Sequence, residues 1–399
     1  MINKVKKIVL AYSGGLDTSY CAHWLSSQDN TEVHAVAVNT GGFDEQQIDE
    51  MKTKALAFGV AQFECINAEE ELYNSILKYL IFGNVLRNNT YPLSVSAERV
   101  VQAIALINYA NSIGAEAIAH GSTGAGNDQI RFDLIFQTLG NSIEIITPIR
   151  DQKLSRETEI EYLKSHGYEY SWEKSKYSIN QGLWGTSVGG AETLTSDKTL
   201  PEEAYPSQLE ENQSKNLTLD FKQGELVGID GENYAPVEAI KELQKIAKKY
   251  AIGRDIHVGD TIIGIKGRVG FEAAAPMIII KAHELLEKHT LSKWQLFQKQ
   301  QLAQFYGMMV HEGLFLDEVM RNTEAYMQDC QRFVTGKVFV ALHPYRFELI
   351  GIESRYDQMK SSAAQYGEMN NSWTADDAKG FIKIYANGLK NAKSVQDEN

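Results

Sequence analysis

Three cysteines in 399 residues, Cys21, Cys65 and Cys330, include no CxxC pair and sit at no metal-ligand spacing from paired histidines. That scarcity excludes a disulfide framework and a thiolate metal site, and the thiols read as buried groups in a reducing compartment. Long apolar runs are also missing. No stretch reaches the roughly 18 residues a membrane span needs. Lys4, Lys6 and Lys7 precede a short apolar run, but it leads into a glycine loop and not a cleavage site, so the expected location is the cytoplasm. Positive charge is short too. Lys and Arg number 39 against 52 Asp and Glu, a formal net charge of −13, which argues against nucleic acid as a partner while leaving room for a small anion bound locally.

What remains is ordinary globular composition, 43% hydrophobic and 23% charged, in a chain long enough for two domains. In the first 150 residues short apolar runs alternate with segments of helical period, which predicts a parallel sheet wrapped by helices. Strands are expected at Lys7 to Tyr12, Val33 to Asn39, Gln62 to Ile66, Ala115 to His120 and Glu144 to Thr147. Helices are expected over Asp44 to Phe58, Ala97 to Ile113 and Arg156 to His166, each followed by glycine. From Gly167 to Pro206 the chain is rich in Ser, Gly and Tyr and reads as loop. A second, α+β region follows, with a hairpin at Leu217 to Ile229 and long helices between Met277 and Phe333. The polar tail from Lys393 to Asn399 is expected to fray. The division this suggests is residues 1–166, 167–378 and 379–399.

The clearest chemical signal is Ser13-Gly14-Gly15-Leu16-Asp17-Thr18-Ser19, placed between an apolar strand and a helix. Two glycines let backbone approach a ligand, while successive N–H groups and a helix N-terminus form a cradle for an anion. Ser13, Thr18 and Ser19 add hydroxyls. The Walker lysine spacing and the GxGxxG pattern are both absent. Asp17 beside such a cradle fits an acid that holds Mg²⁺ against phosphates, or equally a first-turn helix acid.

Ala11 to Ser19 resembles the pyrophosphate loop of the ATP-pyrophosphatase superfamily, and in this wording that of the argininosuccinate synthase family. His120-Gly121-Ser122-Thr123-Gly124-Ala125-Gly126-Asn127-Asp128-Gln129-Ile130-Arg131-Phe132 resembles the family's second signature. Similarity at Tyr91 to Arg99, Ser178 to Ser187 and Gly253 to Glu272 extends it over most of the chain. The resemblance implies an adenine nucleotide α-hydrolase-like ATP domain, an α+β synthetase domain, a C-terminal oligomerisation helix and a homotetramer. It implies that ATP adenylates the ureido oxygen of citrulline and that the aspartate amine then displaces AMP. Ala11, Tyr12, Ser13, Gly14, Gly15, Leu16, Asp17, Thr18, Ser19, Val38 and Gly121 would bind ATP. Thr123, Asn127 and Asp128 would hold aspartate. Tyr91, Ser96, Asn127, Arg131, Ser178 and Ser187 would hold citrulline. Asp17, Asp128 and Arg99 are the residues on which catalysis is expected to depend, with Mg²⁺ at Asp17.

Three departures stand out. The signature's usual lysine is Ala125, and the family's glutamate and tyrosine at the amino end of citrulline align with Gly259 and Phe271. Asp260, next in line, would substitute only after a loop shift. An acceptor whose α-amino group is acylated, N-acetyl- or N-succinylcitrulline, matches a site lacking that carboxylate, since an unpaired buried charge is costly. Glycine is also expected to leave room for the acyl group. Alternatives are an amide-forming or thiolating relative, which the cysteine usage and acidic charge disfavour, and a nucleotide sensor without chemistry, which would need only the first domain.

Overall fold

The computed structural model describes residues 6–170, 176–363, 366 and 372–397. Its first region is a five-stranded parallel sheet, β1 (Lys6–Ala11), β2 (Thr31–Asn39), β3 (Gln62–Asn67), β4 (Ala117–Ala119) and β5 (Glu144–Ile146), in the order β3-β2-β1-β4-β5. Side chains alternate across β1: Val9 enters one core, Ile8 and Leu10 the other, because successive residues of a strand face opposite ways. Helices cover both faces: α1 (Leu16–Ser26), α2 (Glu45–Ala57), α3 (Ser94–Ser112), α4 (Asp128–Leu139) and α5 (Arg156–Ser165). A capping box starts α2, where Gln47 N–H donates to Asp44 Oδ1 at 2.8 Å and Asp44 N–H to Gln47 Oε1 at 3.0 Å.

The strand order reverses direction about β1, so the loops leaving the carboxyl ends of β1 and β4 diverge to opposite sides and open a crevice between them. Both loops singled out from the sequence, Ser13 to Ser19 and His120 to Asn127, lie there.

The segment expected to be loop carries the hairpin β6 (Ser178–Gly182) and β7 (Gly185–Gly189). Apart from Ile179 and Val188 its strands are made of Ser, Asn, Gln, Gly and Thr, which give no apolar alternation, and pairing with a neighbouring sheet overrides that weak propensity. β7 joins β10 (Arg254–Asp260) and β11 (Lys266–Glu272) in a four-stranded antiparallel sheet of order β10-β11-β7-β6. Between the two hairpins run β8 (Lys215–Lys222), β9 (Glu225–Ile229) and the amphipathic α6 (Pro236–Ala247). Three long helices follow, α7 (Ala274–Thr290), α8 (Lys293–Glu312) and α9 (Glu318–Cys330), then the antiparallel pair β12 (Gly336–His343) and β13 (Arg346–Glu353).

The core containing Val9 and Val36 runs without a break into Phe271, Ile279 and Val340, so the two regions share one apolar interior. The tail is not frayed: α10 (Ala375–Tyr385) is followed by α11 (Asn387–Asp397), helped by a Lys393–Asp397 ion pair at i,i+4 spacing. Residues 398 and 399 of the expected tail lie outside the described ones. Among the described residues no helix is long and apolar enough to cross a membrane.

Candidate active site

A cavity of about 1080 Å³ opens at the crevice and is walled by both regions. Of the residues singled out above, Ala11, Tyr12, Ser13, Gly15, Leu16, Asp17, Thr18, Val38 and Gly121 line it. So do Tyr91, Ser96, Arg99, Thr123, Asn127, Asp128, Arg131, Ser178 and Ser187, which reach it from three separate stretches of chain. Two do not. Gly14 has φ +74° and a Cβ there would meet Met51 Cγ at 2.9 Å, so it packs against α2 and lets the loop turn. Ser19 is fully buried within α1, its hydroxyl facing the interior and not the cavity.

The Ser13 to Ser19 loop is held by its own atoms. Thr18 Oγ1 accepts from Ser13 N–H at 3.4 Å and lies 3.3 Å from both Ser13 Oγ and Gly15 O. Gly15 caps α1 without a side chain, which leaves the first-turn N–H groups aimed at the cavity. Asp17 faces α5, where Glu159 hydrogen-bonds to it; burial and then the Asp17 charge push the Glu159 carboxyl up to about 8. Gly121 sits edge-on to Asp17, so close that a Cβ would lie 3.3 Å from the Asp17 backbone. Ala125, where the usual lysine is missing, is exposed, and Arg156 stands on the cavity wall instead.

Opposite the loop, one carboxylate organises two arginines. Asp128, at the start of α4, accepts from Arg99 Nε and from Arg131 Nη1, both at 2.9 Å. Burial pushes the Asp128 carboxyl up, but Arg99 and then Arg131 outweigh it and hold it below the usual range. Arg131 is 3% exposed and also donates to Ser96 Oγ at 3.0 Å and to the His311 carbonyl at 2.9 Å. His120 is a brace: its Nδ1 accepts from Ser122 N–H, so Nε2–H donates to Asp133 Oδ1 at 2.8 Å, and Asp133 in turn holds Arg150.

The far end is closed by the β10–β11 hairpin. Its turn is tied down by Ile262 N–H donating to Asn127 Oδ1 at 2.9 Å, and by Arg87 Nη2 donating to Asp260 O at 2.9 Å. Gly259 lines the cavity there, whereas Phe271 is fully buried 5.4 Å from the Tyr91 ring and does not. The space above Gly259 is not empty, contrary to expectation. His257, two residues earlier and on the same face of β10, lays its imidazole over it, and a Cβ on residue 259 would stand 2.6 Å from Nε2. His257 stacks on Tyr91 at 5.2 Å; burial, then the nearby Arg87 charge, lower its ionisation to about 4, so the ring is neutral. Asp260 has not moved in to replace the lost carboxylate. It pairs outward with Lys266 at 2.6 Å.

With this geometry in view, comparison with known proteins is decisive. Residues 7–169 match the model of the arginosuccinate synthase N-terminal HUP domain, and residues 177–392 that of the arginosuccinate synthase C-terminal domain. The chain belongs to the argininosuccinate synthase family. It is similar to the argininosuccinate synthase of Dictyoglomus thermophilum, 36% identical over 97% of each chain. It is also similar to that of Methanocaldococcus jannaschii, 36% identical over 90% of this chain and 91% of the relative. The Chlorobium luteolum enzyme is 32% identical over 98% of both. A solved U34-tRNA thiolase from Methanococcus maripaludis overlays 44% of this chain at TM-score 0.30 and 14% identity, too loose a likeness to bear on activity. As a family member the chain is an ATP-dependent carbon–nitrogen ligase of arginine biosynthesis that forms AMP and pyrophosphate.

Sequence reasoning missed part of this cavity. Thr40, Glu98, Gln102, Asn180, His257 and His311 all line it. Apart from Thr40, which directly follows β2, they fall on helix faces or on strands without apolar alternation, where nothing local separates a wall residue from a packed one.

Proposed function

We propose that this family member condenses aspartate with a citrulline whose α-amino group is acylated. One observation carries the acceptor assignment: the end of the cavity at Gly259 holds a neutral imidazole, and the carboxylate beside it, Asp260, is already paired with Lys266. A free α-ammonium placed there would be desolvated without a counter-ion, against the Arg87 charge, while a neutral amide would meet only Tyr91 and a neutral His257. The case rests on charge and not on room, since the imidazole occupies the space glycine leaves.

In this reading Ser13 to Thr18 and the N-terminus of α1 receive the β- and γ-phosphates, and Val38 and Gly121 border adenosine. Arg131 and Ser96 orient citrulline so that its ureido oxygen reaches the α-phosphorus. Thr123, Asn127 and Arg99 take aspartate. Asp128, saturated by two guanidiniums, is a positioning residue that fixes both. Such a site accelerates the reaction by alignment and charge neutralisation, because both leaving groups are good ones. Among the described residues no three His, Cys, Asp or Glu side chains cluster as a metal cage. Mg²⁺ fits Asp17 all the same, as it is commonly held by one carboxylate plus substrate phosphates, and it would neutralise the pyrophosphate that leaves.

Steady-state pyrophosphate release with citrulline, N-acetylcitrulline and N-succinylcitrulline, each with ATP and aspartate, tests the acceptor. The expected kcat/KM for an acylated form is roughly ten- to hundredfold above that for citrulline, the worth of one unpaired charge. Efficient turnover of plain citrulline with neither acyl form accepted ends the proposal.

A cytoplasmic homotetramer is the proposed state, joined through the C-terminal helices. On α10 and the start of α11, Phe381, Ile382, Ile384, Tyr385 and Leu389 are each at least 63% exposed, a stripe too apolar to face water. Light scattering should give four times the chain mass of 44.7 kDa; the mass of a single chain would refute this.

A further inference from the structure

Glu98 lies in the first half of α3, next to Arg99, on the wall of the cavity and only 3% exposed. Its Oε1 is buried with no hydrogen-bond partner, the costly state for a carboxyl oxygen. The neighbours that could satisfy it are engaged elsewhere. Arg99 is held by Asp128, and the Gln102 amide donates to Thr40 Oγ1 at 3.1 Å. Only the Thr40 hydroxyl, at the end of β2, reaches the carboxyl. On its remaining side is Gly182 of the β6–β7 turn, where a Cβ would fall 1.6 Å from Oε1. The backbone there is bare because the carboxyl needs the space.

The titratable groups facing Glu98 are Arg99 from its own helix, Asp128 from α4 and Tyr91 from the segment before α3. Burial pushes its ionisation up to about 8, with Arg99 and Thr40 opposing and Asp128 adding to the rise. A carboxyl in that state is neutral when the cavity is empty and becomes an anion when a cation arrives beside it. Four carboxyl side chains stand on the wall, those of Asp17, Glu98, Asp128 and Asp260. Asp128 is saturated by arginines, Asp260 is paired with Lys266 and Asp17 sits at the phosphate loop against Glu159. Glu98 is left for the second reactant, whose α-ammonium must lose a proton before its nitrogen can attack carbon.

We infer that Glu98 receives the α-ammonium of aspartate and accepts its proton as the amine attacks the adenylated ureido carbon. In that step the N–C bond forms and the C–O bond to AMP breaks. The amine proton passes to the Glu98 carboxylate and leaves to water when product departs. The inference rests on the ligase reading above, and its test keeps the two apart.

Exchange of labelled pyrophosphate into ATP, with the acceptor present and aspartate omitted, reports adenylation alone. Wild-type enzyme showing no exchange with citrulline or its acyl forms, and no aspartate-dependent pyrophosphate release, would overturn the ligase reading. With wild-type exchange in hand, Glu98→Gln is expected to keep exchange within about twofold, which also shows that the variant folds. Its kcat/KM for aspartate should fall about 10²- to 10³-fold, the range for a lost general base. The wild-type rise of kcat/KM for aspartate with pH through about 8 should vanish, and Glu98→Asp should recover part of the rate. Aspartate turnover by Glu98→Gln within threefold of wild type, exchange falling in step with the overall rate, or a wild-type profile flat through that range would each refute the role of Glu98.

Discussion

Asp128→Ala is expected to lose activity at least about 10²-fold with aspartate and to lower stability by about 3 kcal/mol. Both effects have one origin. The Arg99 and Arg131 side chains are 16% and 3% exposed, and each places a 2.9 Å bond on a separate oxygen of Asp128. Removing the carboxylate leaves two buried guanidiniums facing each other with no anion between them, and each would swing toward water. Arg131 would then release Ser96 and the His311 carbonyl, the link between α3, α4 and the end of α8. Thermal melting together with kinetics varied separately in aspartate and acceptor checks this. A variant that melts like wild type and keeps a KM for both substrates within threefold would show that the arginines hold themselves in place.

The second large effect concerns the closed end of the cavity. Gly259→Glu alone is expected to fail, because its Cβ would stand 2.6 Å from His257 Nε2 and the imidazole is fixed by its stack on Tyr91. Removing the imidazole first makes space. The double variant His257→Ala with Gly259→Glu should therefore place a carboxylate at the amino end of the acceptor. Its ratio of kcat/KM for free over N-acylated citrulline should rise roughly ten- to hundredfold, the worth of one hydrogen-bonded ion pair. An unchanged ratio in a folded double variant would mean that the acceptor's amino group lies elsewhere.

How far the sequence alone reached depends on the kind of signal each element carries. The parallel sheet was legible because buried strands such as Lys6–Ala11 and Thr31–Asn39 are dense in Val, Ile, Leu and Ala, and helices α2, α3 and α5 are closed by Gly59, Gly114 and Gly167. The Ser13 to Ser19 loop was legible because the glycines and hydroxyls that shape a loop of this kind are contiguous in the chain. The β6–β7 hairpin was not, since Ser, Asn, Gln and Gly form strands only when another sheet offers pairing.

The amino-acid sequence by itself determined one side of the crevice in this protein: strand, glycine loop, helix, and the second signature that completes it. Those parts are local, built from residues within a few positions of one another, and chain order is enough to place them. Only the tertiary structure decided the opposite wall of the cavity. That Asp128 spans two arginines, that His257 fills the space above Gly259, and that Glu98 Oε1 is left without a partner against Gly182 are contacts between segments 29 to 84 residues apart, three along one helix or two along one strand, and a pattern of residue types carries no distances. Burial is what gives them force, because an unpaired charge or carboxyl oxygen is costly only where the fold has taken the water away.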